Sequence, residues 1–344
     1  MSVRTFAAQP AEQRGLPRDG VRLLVASAAG LVHARFHDLA EHLRPGDLLV
    51  VNDSATVPGQ VDGVVVSGDR RADPVVVHVG ARLDDGSWVV ELRTAPDAAE
   101  PVLDARPGLL VDLGGRVTLA LTTAYPREGS SPTGRGTRLW RARASGPLEA
   151  HLREVGRPIA YGYLDRTYPI EAYQTVFSVR PGSAEMASAA RPFTPELVTA
   201  LVARGVGVAP VTLHTGFSSQ EAGEWPQPEW FEVPAATADA VAATRARGGR
   251  VVAVGTTSTR ALESAAAADG SVRATSGWTE HVVTPDSPPR VVGGLVTGWH
   301  DPTASHLLLV RAVAGADLTA RAYGAAADRG YLWHEFGDAG LFLP

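Results

Sequence analysis

Apolar residues are spaced in two different textures along this chain. Residues 21–51, VRLLVASAAGLVHARFHDLAEHLRPGDLLVV, predict a strand, a turn at Gly30, a second extended segment and a short helix over 38–43. A further strand over 48–51 is entered through the Pro45-Gly46-Asp47 turn and stops at the polar Asn52-Asp53-Ser54. From about 61 to 145 the pattern changes to short alternating runs such as VDGVVVSG, PVVVHVGARL and SWVVELRT, broken by Gly, Pro and Asp roughly every ten residues, as in a barrel or sandwich. After Pro158 helical and apolar runs alternate again. TPELVTALVARG precedes VGVAPVTLHTG, ATADAVAATRARGG precedes RVVAVGTTS, and LLLVRAVAGADLTARAYGAAADRG follows. Helix-then-strand pairs joined through Gly indicate an α/β layer with parallel strands.

The expected class is therefore α/β: a larger domain of residues 1–60 and 156–344, interrupted by an inserted antiparallel β-barrel over 61–155. A length of 344 residues favours two cores over one. Hydrophobic residues at 44% and charged residues at 20% suit a soluble globular chain without a membrane partner. The start MSVRTFAAQPAEQRG lacks the apolar run of a secretory signal, and a cytoplasmic location is expected. With no cysteine there is no thiolate chemistry. All 32 basic residues are arginine, which excludes Schiff-base and P-loop lysines. A net charge of −5 opposes a general nucleic-acid coat but permits local patches. One candidate patch is Arg135, Arg138, Arg141 and Arg143, whose alternation also fits an edge strand protected by charge.

In open α/β sheets ligands collect beyond the carboxyl ends of the strands. Three such ends here are polar: Asn52-Asp53-Ser54, His214 after GVAPVTL, and Thr256-Thr257-Ser258 after VVAVG. A hydroxyl there can cap a helix or meet a ligand, but Thr259, Arg260 and Ala261 give no capping box. His300 in VTGWHDP also follows a strand, and Asp338 sits in the Gly-flanked turn FGDAG, where an Asx-turn is the alternative to a chemical role. HExxH, GxSxG and strand-following GxGxxG patterns are absent, and no metal-ligand spacing is found.

Eight segments in order resemble the S-adenosylmethionine:tRNA ribosyltransferase-isomerases of queuosine biosynthesis. They include RPGDLLVVNDS (44–54), VTLHTG (211–216), PEWFEVP (228–234), GGRVVAVGTTSTRALESAA (248–266), LVTGWHDP (295–302) and YLWHEFGDAG (331–340). The resemblance implies an α/β domain with a barrel insertion, and S-adenosylmethionine as co-substrate without a metal. It further implies ribosyl transfer onto 7-aminomethyl-7-deazaguanine in tRNA, by C5′ deprotonation beside the sulfonium and loss of adenine and methionine. On that model Thr256, Thr257, Ser258 and Arg260, with Asn52 and Asp53, hold the co-substrate. His214 and Glu229 are the base and its orienting partner, His300 and Asp338 meet the sugar or departing base, and Trp299 or Trp333 faces the sulfonium.

The chain departs from the family pattern in defined places. GSVAAPTAGLHFT is here GSAEMASAARPFT (182–194), and LHVGLGTF is LHTGFSSQ (213–220). Glu224 and Gln227 stand where histidines are usual, Ala55 and Gln60 where arginines are, and NFHLPxST reads GWHDPTAS (298–305). These changes keep the scaffold and alter the acceptor side. The alternatives are a same-scaffold enzyme with a small-molecule acceptor, and a non-catalytic relative.

Overall fold

Leu48 and Val50 enter one apolar cluster while Leu49 and Val51 enter another, so both faces of their strand are covered and no polar residue interrupts it. The computed structural model describes residues 5–67, 70–160, 162–217, 224–300 and 306–344. Within it the strand Leu48–Asn52 is fourth in a nine-stranded sheet. Its order is Thr275–Thr279, Glu229–Val233, Gly207–Leu213, Leu48–Asn52, Val251–Val254, Gly294–Gly298, Ala339–Leu343, Arg22–Ser27 and Gly30–Arg35. The run of four from Gly207–Leu213 to Gly294–Gly298 is parallel, and antiparallel pairs flank it on both sides. Carboxyl ends of the parallel strands therefore gather on one edge of the sheet.

Helices cover the faces. Helix α1 is Leu148–Val155, α2 Pro195–Ala203, α3 Ala235–Ala246, α4 Gly255–Ser264, α5 His306–Ala314 and α6 Ala316–Asp328. Leu197 and Leu201 of α2 pack on one face; Val241 of α3, Leu262 of α4, Val310 of α5 and Ala322 of α6 pack on the other. The helix expected over 38–43 is a 3₁₀ turn, Phe36–Glu41, begun earlier because Asp38 accepts from the Arg35 backbone N–H at 2.9 Å. Gly315, at φ 79°, separates α5 from α6 within the last helical run.

The barrel is closed by six strands in the order Thr118–Ala124, Leu139–Ala144, Trp88–Thr94, Arg70–Arg82, Gln60–Ser67, Leu110–Asp112. Alternate residues Val75, Val77 and Val79 fill its interior with Val90, Leu92 and Leu121, and α1 adds Leu148 and Leu152 to the same cluster. The charged-edge reading of Arg138–Arg143 is corrected here. Leu139–Ala144 is paired on both sides, and Arg138 is buried, its guanidinium 3.3 Å from Glu91 and 2.5 Å from Glu224. Arg141 and Arg143 lie 3.9 and 3.7 Å from Asp85. Chain entry and exit are sewn together: Ser54–Thr56 pairs in parallel with Arg180–Ser183, and Gln60 and Arg157 exchange backbone hydrogen bonds of 2.9 Å.

Candidate functional site

Val254 ends its strand and Gly255 begins α4 with φ 92°, a sharp turn that a side chain would strain. Helix α4 therefore starts at Gly255, which puts Thr256 and Thr257 inside its first turn and not at the cap. Val254, the capping position, supplies no side-chain hydrogen bond to the first-turn N–H groups. In front of this turn lies a cavity of about 280 Å³, near the lower end of the roughly 300–1,000 Å³ typical of small-molecule sites. Thr215–Phe217, Gly255–Thr257 and Thr297–His300 border it, so the ends of three parallel strands converge there.

One turn along α4, Arg260 donates from Nη1 to Glu229 Oε2 at 2.5 Å, from Nε to the His281 carbonyl at 2.9 Å and from Nη2 to the Thr279 carbonyl at 3.1 Å. Glu229 Oε1 accepts from the Gly216 N–H at 2.9 Å. Charge and hydrogen bonds are matched within this pair, which forms a polar wall fixed between α4 and the sheet edge. Opposite, His300 lies against His306 with ring centroids 4.5 Å apart and planes 9° from parallel, its Nε2 3.3 Å from Thr297 Oγ1. Burial pushes both imidazoles below the usual histidine range, His300 far below it, and for His300 the neighbouring His306 and His334 add to the effect. Burial thus favours the uncharged form of both rings.

Acids form the remaining wall. Glu185 and Glu335 border the cavity, as does His334. Burial, reinforced by Glu185, pushes the Glu335 carboxyl up to about 8 against a hydrogen bond with Tyr163.

The structure brings Glu229, Thr256, Thr257, Arg260, Trp299 and His300 together around this cavity. Other expected contacts are corrected. Ser258 is fully buried and its hydroxyl donates to the Val254 carbonyl at 2.8 Å, inside its own helix. Asn52 is also buried; its amide donates to Leu213 at 2.9 Å and Thr257 Oγ1 at 3.3 Å, so it fixes strand ends and reaches the cavity only through Thr257. Asp53 accepts from Thr212 Oγ1 at 2.6 Å and lies 3.5 Å from Arg180, away from the cavity. His214 is not oriented by Glu229. Its Nδ1 meets Ser54 Oγ at 2.7 Å, Ser54 Oγ meets Ser183 Oγ at 2.6 Å, and the ring stacks on Trp230. Gly182 lies so close to that ring that a Cβ would sit 2.6 Å from it.

Asp338 is a structural group. Its Oδ1 accepts from the Arg22 backbone N–H at 2.7 Å, and its Oδ2 from Arg22 Nε at 2.9 Å and the Leu332 N–H at 2.8 Å. Trp333 belongs to the core with Trp299, Tyr323, Tyr331 and Phe342 and does not border the cavity. Glu185, Glu335, His306 and His334 escaped the sequence reading. Glu185 carried a signal, since it stands in GSAEMASA where the family pattern has alanine. Cavity-lining residues Glu185–Ala189, Thr215–Phe217 and Gln227 all lie in departing stretches, whereas residues 218–220 and 301–305 of those stretches lie outside the described residues. Among the described residues no cluster of metal-ligating side chains and no helix able to cross a membrane is present.

The family model described as queuosine biosynthesis protein matches residues 1–342. The chain is 38% identical over 350 residues to the S-adenosylmethionine:tRNA ribosyltransferase-isomerase of Gloeobacter violaceus, covering 99% of this chain and 93% of that protein. It is 35% identical to the protein of the same name from Symbiobacterium thermophilum, covering 95% and 94%. The crystal structure of an S-adenosylmethionine tRNA ribosyltransferase from Thermotoga maritima is similar with a TM-score of 0.52 and 28% identity, over 98% of this chain and 96% of that one.

Proposed function

We propose, from the premise that this chain belongs to the queuosine biosynthesis protein family, that it is an S-adenosylmethionine-dependent transferase-isomerase. It passes the ribosyl group of S-adenosylmethionine to 7-aminomethyl-7-deazaguanine in tRNA. One observation carries the placement of the reaction: an uncapped helix N-terminus with two threonines opens on a cavity beyond the strand ends. S-adenosylmethionine supplies the ribosyl group and, through its sulfonium, the acidity of the neighbouring C–H.

The residues present suit that co-substrate. The N–H groups of α4 with Thr256 and Thr257 favour its carboxylate or ribose hydroxyls. His300, uncharged and bordering the cavity, has the protonation state needed to accept a proton there. Arg260 and Glu229 neutralise one another, so they shape the wall without adding net charge. Trp299, a border residue whose indole N–H is buried without a hydrogen-bond partner among the described residues, offers an apolar side for the purine.

The test is to incubate the protein with S-adenosylmethionine, with and without tRNA bearing 7-aminomethyl-7-deazaguanine, and to follow adenine and methionine by mass spectrometry. Release that depends on tRNA and weakens steeply with salt supports the reading. Release without tRNA points to a small-molecule acceptor. No release under either condition overturns the assignment.

A further inference from the structure

We propose that Glu185 and Glu335 form a subsite for a small organic cation, an ammonium or sulfonium group, on the wall of this cavity. The inference rests on the proposed function for the identity of the ligand and on geometry for the subsite itself. Both residues border the same cavity. Glu335 Oε2 is sealed from solvent and makes no hydrogen bond among the described residues, a costly arrangement unless something arrives to satisfy it. The backbone holds it there at some expense: His334, immediately before it, has φ 75°, in the left-handed region that non-glycine residues rarely adopt. That turn is locked by the Asp338 carboxylate on Leu332 N–H and by Gly337, where a Cβ would lie 2.5 Å from the Leu332 carbonyl.

Glu185, Tyr163 and Tyr173 act on Glu335 from several segments, and His300 and His306 border the same cavity. His334 is its chain neighbour, and the Arg260 guanidinium on the wall is already matched to Glu229. Burial and the nearby Glu185 together keep a proton on Glu335. An entering cation replaces that proton, because opposite charge favours the ionised carboxylate. Binding of a cation is therefore coupled to proton release.

Calorimetry of the full chain in two buffers of different ionisation enthalpy measures that release. The ligands are S-adenosylmethionine, S-adenosylhomocysteine, which keeps the ammonium but not the sulfonium, 5′-methylthioadenosine, which has neither, and free 7-aminomethyl-7-deazaguanine. With Glu335 titrating at about 8, roughly nine-tenths of molecules carry the proton at pH 7, so a cationic ligand releases about 0.9 proton there and about 0.1 at pH 9. 5′-methylthioadenosine releases none. Glu335→Gln abolishes the release and weakens the cationic ligand about tenfold, while 5′-methylthioadenosine changes by less than about threefold and so reports that the variant is folded.

S-adenosylmethionine binding without proton release, or equal losses for charged and neutral ligands in Glu335→Gln, overturns the subsite while leaving the co-substrate reading intact. If only the free amine binds with release, the subsite stands and the co-substrate reading falls. Failure of every ligand to bind overturns both. Infrared difference spectra of the protein against Glu335→Gln at pH 7 give a ligand-independent readout: a protonated carboxyl stretch is expected, and its absence overturns the proposal.

Discussion

Replacing Asp338 by Asn separates a structural role from a chemical one. In the native protein Oδ2 of Asp338 accepts two hydrogen bonds, from Arg22 Nε at 2.9 Å and the Leu332 N–H at 2.8 Å, and Oδ1 accepts one from the Arg22 backbone. An amide of the same shape can keep its oxygen on only one of these sides. With oxygen toward the Arg22 backbone, its NH₂ faces two donors, so one charge-assisted bond and one neutral bond are lost. At about 1.5–3 and about 1 kcal/mol respectively, the expected cost is about 3 kcal/mol. Unfolding entropy of about 2.1 cal/mol/K per residue over 344 residues converts this to a Tm lower by about 4 °C. Differential scanning calorimetry of the two proteins at pH 7 provides the measurement. A Tm within about 1 °C of the native value together with a large fall in kcat/KM would refute the reasoning and return Asp338 to the chemistry.

Other expectations concern charges at the cavity. Arg260→Met strands Glu229 beside a buried wall and costs about 3–5 kcal/mol, whereas adding Glu229→Gln recovers much of that loss; additive losses in urea denaturation would contradict the pairing. His300 stays neutral at pH 6, where an ordinary histidine near 6.5 is mostly charged. Its depressed value means that the unfolded chain binds more protons below about pH 6.5, so it costs stability as pH falls; nitrogen-15 NMR of His300 showing an imidazolium at pH 6 would disprove this. Glu335 has the opposite sign. Raised from 4.5 to about 8, it makes the native state bind more protons across that interval, so stability declines as pH rises, by up to about 1.4 kcal/mol per pH unit. Melts of wild type and Glu335→Gln from pH 5 to 8 should diverge with pH; parallel curves would count against it.

The sheet and barrel were readable because burial on both faces leaves the uninterrupted LLVV and VVAV, while burial on one face leaves alternation such as TLALT, whose Leu119 and Leu121 enter the barrel core. The polar strand ends also marked the right edge of the sheet, and Thr256, Thr257 and Arg260 do border the cavity. What spacing could not reveal was which side of a turn each polar group faces. Ser258 follows Thr257 directly yet turns its hydroxyl back to Val254, because helical rotation carries it from the cavity to the core. Asp338 resembles a reactive acid in a glycine turn, but three donors converge on it only after Arg22 and Leu332 are brought together from distant parts of the chain. The Glu185–Glu335 wall was hidden for the same reason, since its members are 150 positions apart in sequence.

The two seryl oxygens behind His214 belong to different passages of the backbone, Ser54 where the chain departs for the barrel and Ser183 just after it returns. Thr215 joins the same group, its N–H donating to Ser183 Oγ at 3.0 Å at the cavity border. The passages into and out of the barrel are thus stitched by hydrogen bonds to the rim of the cavity.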